Sequence, residues 1–285
     1  MTPAGRPWAR PVLAAFALAA LHPACSGGDV PAAGDLVAKV EAARRTSGYR
    51  VRARLVRTTA GSDQRDVMQL LIEGRRSGDD RKALYQVLWP KPLLGRTLVI
   101  EQPAGQAVRA WTFTPPDQVA TLTPADATQP FLGSDLTIED LAEDFWHWPT
   151  QEIVGEETVG QHRCQIIESR PSAETATSYS RVRTWIAPDI ALPLRVEKFG
   201  PDGRLIKRIT AERIMKRKDK SWAAANLIIE PADGRTRTVL EGSRATLDLE
   251  IPEADFTVEK IKASLQPKSR GATSPRDAST APGEP

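Results

Sequence analysis

The stretch Tyr49-Arg50-Val51-Arg52-Ala53-Arg54-Leu55 alternates an uncharged, mostly apolar side chain with an arginine at every step. A period of two belongs to a β-strand with one buried and one wet face, because successive side chains of an extended backbone point to opposite sides. The three arginines read as the solvated face. Immediately before this stretch, residues 35–45 set Leu36, Val37, Val40 and Ala43 at helical spacing. Asp35 is the expected N-cap there, and Arg44 and Arg45 stand at the C-terminal end, where cations are favoured. Downstream, further strand candidates follow at short intervals: 66–73, 83–89, 97–101, 108–113, 119–123, 152–159, 164–169, 179–186, 192–199, 204–214, 222–230, 235–241 and 245–249. Turn signals such as Gly74, Gly105, Gly160, Pro201-Asp202-Gly203 and Asp233-Gly234 punctuate the series. Many strands joined by short links predict one meandering antiparallel sheet, and a sheet of about ten or more twisted strands curls. The expected fold class is α+β, mainly β: a single curled antiparallel sheet forming a barrel or a half-barrel, covered by a few short helices.

Several strands are apolar on both faces, notably Met68-Gln69-Leu70-Leu71-Ile72, Leu84-Tyr85-Gln86-Val87-Leu88-Trp89, Leu98-Val99-Ile100 and Leu227-Ile228-Ile229. Something must therefore cover the second face. The opening helix is one candidate, and residues 135–146, with Leu136, Ile138, Leu141 and Phe145 as an apolar stripe, are a second helix expected to serve. Covering helices over a curled sheet enclose an apolar interior. Residues expected to line it and to meet an apolar ligand are Leu70, Ile72, Tyr85, Val87, Trp89, Val99, Trp111, Leu136, Ile138 and Leu141.

The two ends read differently from the body. Arg6 and Arg10 precede an apolar run of ten, residues 12–21, which has the pattern of a secretory leader. At about 1.5 Å per helical residue the run spans roughly half of a hydrocarbon core, too little for a permanent anchor. The run ends at Leu21-His22-Pro23-Ala24-Cys25-Ser26-Gly27-Gly28, which resembles a bacterial lipoprotein processing site with Cys25 as the lipidated residue, although His22 stands where Leu is usual. Ordinary cleavage, with Cys25 free or paired with Cys164, is the alternative. An Asp after such a Cys signals inner-membrane retention in Gram-negative bacteria, and Ser26 is not Asp, so the resemblance implies an outer-membrane lipoprotein facing the periplasm. The expected organisation is a leader over 1–24, a flexible tether over 25–34, one domain over 35–264 and a disordered tail rich in Pro, Ser, Ala, Thr and Gly over 265–285.

Composition narrows the chemistry. The 285 residues hold 39 Lys plus Arg against 36 Asp plus Glu, a net charge of +3 with bases interspersed among acids, so no nucleic-acid partner is expected. Three His and two Cys leave little for a metal site, and His22 lies in the leader, so no metal and no cofactor is expected. The acidic cluster Glu139, Asp140, Glu143 and Asp144 reads as a helix start offsetting the macrodipole, with Thr137 and Asp140 at capping-box spacing. His147 stands alone between Trp146 and Trp148, and no Gly-x-Ser-x-Gly, His-Glu-x-x-His or phosphate-loop motif occurs. Cys164 reads as a buried small hydrophobe. The chain is expected not to be an enzyme.

A family resemblance adds to this reading. Phe131-Leu132-Gly133-Ser134-Asp135-Leu136-Thr137-Ile138-Glu139-Asp140-Leu141 resembles the Gly-Ser-Asp and Glu-Asp-Leu signature of the bacterial outer-membrane lipoprotein-sorting, or LolA-like, family. Leu88-Trp89-Pro90, Gly95-Arg96-Thr97-Leu98-Val99-Ile100, Trp111-Thr112-Phe113-Thr114-Pro115, Gly155 to Val159, Trp185-Ile186, Leu192-Pro193-Leu194-Arg195-Val196, Asp202-Gly203, Trp222 and Ile251-Pro252 through Phe256-Thr257 follow in the family's order, over about residues 80–262. The chain departs from the family at 120–123, where an Arg-rich strand is usual, and at Ala223, Ala224 and Ala225. The resemblance implies an unclosed β-barrel whose apolar concave face holds the acyl chains of lipoproteins or other lipids, in lipoprotein sorting or envelope lipid transport. The membrane surface would be reached through the lipid on Cys25. An alternative is a periplasmic sensor or regulator that uses the same fold to bind an envelope protein partner.

Overall fold

The computed structural model describes residues 32–217 and 219–266. The leader, Cys25, most of the expected tether and nearly all of the expected tail lie outside the described residues. No helix among the described residues is long and apolar enough to cross a membrane.

Thirteen strands form one antiparallel sheet: β1 Gly48–Thr59, β2 Arg65–Ser77, β3 Asp80–Trp89, β4 Thr97–Gln102, β5 Arg109–Thr114, β6 Gln118–Thr121, β7 Thr150–Val159, β8 His162–Arg170, β9 Arg181–Ala187, β10 Leu192–Phe199, β11 Leu205–Lys216, β12 Trp222–Pro231 and β13 Thr236–Leu247. Their order across the sheet is 6-5-4-3-2-1-13-12-11-10-9-8-7. Every neighbour is also a neighbour in sequence except at one seam, where β1 pairs with β13 through rungs such as Leu55 with Leu240. The strands that end the sheet, β6 and β7, are consecutive in the chain, and residues 122–149 between them carry the principal cover.

The alternation read at residues 49–55 holds. Tyr49, Val51, Ala53 and Leu55 join the interior cluster with Met68, Leu70, Ile72, Tyr85, Val87, Leu98 and Ile100, while Arg50, Arg52 and Arg54 face out. Burying a Leu- or Val-sized side chain contributes about 1.5–3 kcal/mol. The opposite face of β3, β4 and β5 is also apolar, and Leu84, Val99 and Phe113 pack there beneath Ile251, Phe256 and Ile261. Their cover is a helix absent from the sequence expectations, Val258–Leu265. The opening helix, α1 (Ala33–Ala43), begins two residues before Asp35, within the expected tether, and buries Leu36, Val37 and Val40 against Phe145, Trp146, Trp148 and strands β8 and β9.

Two expected elements are corrected. The helix expected over 135–146 is a five-residue helix, α2 (Ile138–Ala142), followed by a 3-10 turn from Asp144 to His147, with Glu143 between them at φ 50°. The separate strands expected at 235–241 and 245–249 are one strand, β13. Gly242 and Ser243, which read as a break, form a bulge opposite Arg52 and Ala53. Counting the helix that ends at Leu265 as α3, the described residues form a mainly β, unclosed half-barrel with three short helices.

Candidate functional site

The covering segment is built from the Gly-Ser-Asp and Glu-Asp-Leu residues, and each acid has a separate task. Asp135 accepts from the hydroxyls of Thr236 (2.6 Å) and Thr238 (2.7 Å) on β13. Ser134 turns the chain by donating to the carbonyl of Phe131. Thr137 caps α2, with its hydroxyl accepting from the Asp140 amide while the Asp140 carboxylate accepts from the Thr137 amide, a reciprocal capping box. Glu139 accepts from the backbone amide and hydroxyl of Ser178 and from the hydroxyl of Thr177. Glu143 pairs with Arg44 at the end of α1.

Asp140 does more than cap. Its side chain is fully buried and takes Lys198 Nζ at 2.6 Å on one oxygen and Lys207 Nζ at 2.7 Å on the other. Tyr179 donates to the first oxygen at 2.8 Å, and Lys207 also donates to the carbonyl of Asp135. Burial by itself pushes a carboxyl upward, but the two ammonium groups outweigh it and hold Asp140 well below the usual carboxylate range. Burial and the Asp140 charge together push the Tyr179 phenol far up, so it remains a donor. Two lysines on β10 and β11 thus clamp the cover from inside the sheet.

Beside this clamp is a cavity of about 330 Å³. Val108, Ala110 and Leu122 form its wall toward the β5–β6 edge, Ile138, Ala142, Phe145 and Trp148 its roof, and Thr175, Ala176, Thr177 and Tyr179 its far side, with Lys198 at its base. The volume lies at the lower end of the range for small-ligand pockets. A second hollow of about 240 Å³ lies between strands β3 to β5 and the turn carrying Phe131, Leu132 and Ile138.

Of the residues expected at the ligand, Leu70, Ile72, Tyr85, Val87 and Leu136 are brought together in the interior cluster, with Ile138 and Leu141 packed against it. Only Ile138 lines the larger cavity, and Tyr85 joins it at the smaller one. Three are placed elsewhere. Val99 and Trp111 point to the outer face and pack under α3, because they stand one residue out of phase with Leu98 and Ala110. Trp89 lies at the end of β3 and is 49% exposed. The wall residues that the expectations omit include Ala107, Ala110, Ala127, Ala142 and Ala176, whose small side chains leave the space, together with Val108, Leu122, Trp148 and Lys198. One signal did exist: in the run Val196-Glu197-Lys198, Lys198 takes an inward position, and an inward lysine requires a buried anion.

The remaining polar candidates occupy structural places. His147 accepts from Arg81 at 2.6 Å and lies 3.3 Å from Glu41 on α1. His162 is 3.3 Å from Asp189. Cys164 is buried, with its thiol pushed up chiefly by burial. No group of three or more metal-ligating side chains occurs among the described residues.

The family model that matches the chain spans residues 79–263, more than half of it, and is described as that of an uncharacterized protein. No curated protein shows a significant match. Among solved structures, a DUF1329 family protein from Desulfovibrio piger is similar with a TM-score of 0.75 and 22% identity, covering 80% of this chain and 97% of that one. A domain named for outer membrane lipoprotein sorting from Vibrio parahaemolyticus gives 0.74 and 18%, with coverage of 80% and 97%. A LolA superfamily protein from Nitrosomonas europaea gives 0.65 and 17%, with coverage of 80% and 99%. At these identities the likeness is one of fold.

Proposed function

Since the chain belongs to the uncharacterized family whose model runs over residues 79–263 and shares the fold of lipoprotein-sorting and LolA superfamily proteins, we infer that it is an exported protein that binds lipid or lipoprotein acyl chains in the cavity beneath its covering segment. The observation that carries this reading is the cavity itself, roofed by Ile138, Ala142 and Phe145 and walled by Val108, Ala110 and Leu122. Each methylene moved from water to such a wall is worth about 0.8 kcal/mol, so six to eight of them supply about 5–6 kcal/mol before the cost of ordering the chain. A binder of this kind needs hydrocarbon walls and no catalytic group. Its place would be the cell envelope, on the periplasmic side of the outer membrane if Cys25 carries lipid.

Titration of the purified chain with a fluorescent fatty acid tests the reading. Saturable binding at micromolar concentration is expected, and Ala142→Phe, which fills the roof of the cavity, should weaken it at least ten-fold while leaving the unfolding transition in place. Equal binding by the parent and the filled variant rejects the cavity as the site.

A second reading is a sensor that binds an envelope protein, and it draws on the two sheet edges. Strands β6 and β7 end the sheet, and all four residues of β6 are exposed, so their free backbone groups can accept an extended segment of a partner. Capture of one envelope protein by the parent and by Ala142→Phe alike would favour this alternative.

A further inference from the structure

The hairpin joining β11 to β12 gathers charge of one sign. Arg213, Lys216, Arg217 and Lys220 occur within eight residues, and Asp219, the acid among them, is engaged by the amide and hydroxyl of Ser221 at the turn. Among the described residues, no carboxylate lies within ion-pair distance of these four cations. This is unlike most of the surface, where Arg50, Arg54, Arg163 and Arg208 each hold a carboxylate.

The patch continues onto the seam. Rungs Arg54–Glu241, Glu241–Asn226 and Asn226–Arg213 lie in one row across β1, β13, β12 and β11. From that row toward the hairpin tip, β1 and β13 present Arg52 and Arg244. These two are exposed, face the solvent side and stand directly opposite each other in the register. Like charges in that relation repel and cost stability. An apolar element accompanies the charge: Met215, between Arg213 and Lys216, is 51% exposed, and Lys216 Nζ lies 5.9 Å from the ring centroid of the partly buried Trp222.

We propose that this end of the sheet docks on a membrane surface carrying anionic phospholipid, with the six cations meeting phosphate groups while Met215 enters the interfacial layer. The mixture decides between partners. A phosphate surface alone rewards the cations but gives Met215 nothing, whereas at a lipid interface the exposed thioether is stabilised and long cationic stems reach the headgroups. The surface is separate from the acyl-chain cavity, and the inference does not rest on that cavity being occupied.

The test is sedimentation of the exported full chain carrying Cys25→Ala with vesicles of phosphatidylglycerol or of phosphatidylcholine having identical acyl chains, so that any uptake of hydrocarbon is common to both. A clear preference for the anionic vesicles is expected, declining with salt. Each basic side chain near such a surface contributes about five-fold, equivalent to about 1 kcal/mol, so Lys216→Gln with Arg217→Gln should reduce the preference about 25-fold. Arg204→Gln with Arg235→Gln removes the same charge from hairpins at the other end of the sheet and should change it less than three-fold. No preference between vesicles, or an equal loss from both double variants, overturns the proposal. Full competition by soluble polyglutamate, with no effect of Met215→Asn, assigns the patch to an acidic protein and overturns it as well. Ala142→Phe is expected to leave the vesicle preference unchanged even where it abolishes fatty-acid binding, so the two readings fail separately.

Discussion

Replacing Asp140 by Asn tests the interior clamp. The carboxylate is shared by Lys198 at 2.6 Å and Lys207 at 2.7 Å, and the side-chain exposures of the three groups are 0%, 2% and 6%. Asn has nearly the same shape, but it leaves two buried ammonium groups without a counter-charge and turns an amide N–H toward one of them, which can only donate. Breaking a buried pair by removing one partner costs about 3–5 kcal/mol, and here one anion serves two cations, so the upper half of that range is expected. For a domain of this size about 4 kcal/mol lowers Tm by about 8–16 °C. Urea and thermal unfolding followed by tryptophan fluorescence report it, since Trp146 and Trp148 pack beside the clamp. The pH dependence is the sharper readout. Because the folded carboxyl is held below its unfolded value of about 3.9, its contribution is fully present above that pH and is lost as pH falls through the folded value. The gap between parent and Asp140→Asn should therefore be constant from pH 5 to 8 and shrink below about pH 4. A loss smaller than 1 kcal/mol at pH 7, or a gap that stays open in acid, refutes the argument.

Two further outcomes are expected. Gly95 has φ +83°, and a Cβ there would come within 2.7 Å of Leu265 and 3.0 Å of Pro115, so Gly95→Ala should cost about 1–3 kcal/mol in chemical denaturation; a neutral substitution would show that α3 packs more loosely than described. Cys25→Ala should move the protein from the membrane to the soluble periplasmic fraction, and identical fractionation of both forms argues against the lipid anchor.

The sheet was legible because its signals are local. Alternation at residues 49–55 and the Gly-marked turns need no knowledge of distant residues, and they placed nearly every strand within a few positions. The errors arise where a local signal has two uses. The gap at 242–244 separates two expected strands, but with Arg52 and Ala53 opposite it holds a bulge within one strand, and that choice depends on a strand almost two hundred residues away. In the covering segment, the stripe Leu136, Ile138, Leu141 and Phe145 suggests one long helix, whereas Thr137 and Asp140 at capping-box spacing put the start after Thr137. The cap prevails because the Asp135 side chain is committed to Thr236 and Thr238 on β13, which holds that residue outside the helix. Helix α3 was absent from the expectations although Thr257, Val258, Ile261 and Leu265 carry a cap and helical spacing. Its eight residues fall below the length at which periodicity is persuasive. The cavity wall was least legible, since alanine at 110 or 142 carries no pattern that distinguishes a hollow from a close approach.

The way the cover is fastened bears on what could displace it. Toward β10, β11, β13 and the loop before β9 it is held by Asp140 with its two lysines, by Asp135 with two threonines, and by Glu139 at Ser178. Toward β3, β4 and β5 its contacts are mainly apolar, including Phe131 edge-on to Tyr85 at 5.5 Å and Leu136, Ile138 and Leu141 in the interior cluster, with the hydrogen bond from Gln102 to the Ala142 carbonyl as a polar exception. Hydrocarbon entering from outside can replace an apolar contact at little cost, since one methylene serves as well as another, but it cannot satisfy a buried ammonium group. Enlargement of the cavity by a bound acyl chain is therefore favoured on the β3–β5 side, with the lysine side as the fixed edge. On this reasoning, acyl-chain binding should leave Asp140 and its lysines in place and shift Phe131 and Ile138, and the amides of those two residues are the ones whose exchange rates should respond to ligand.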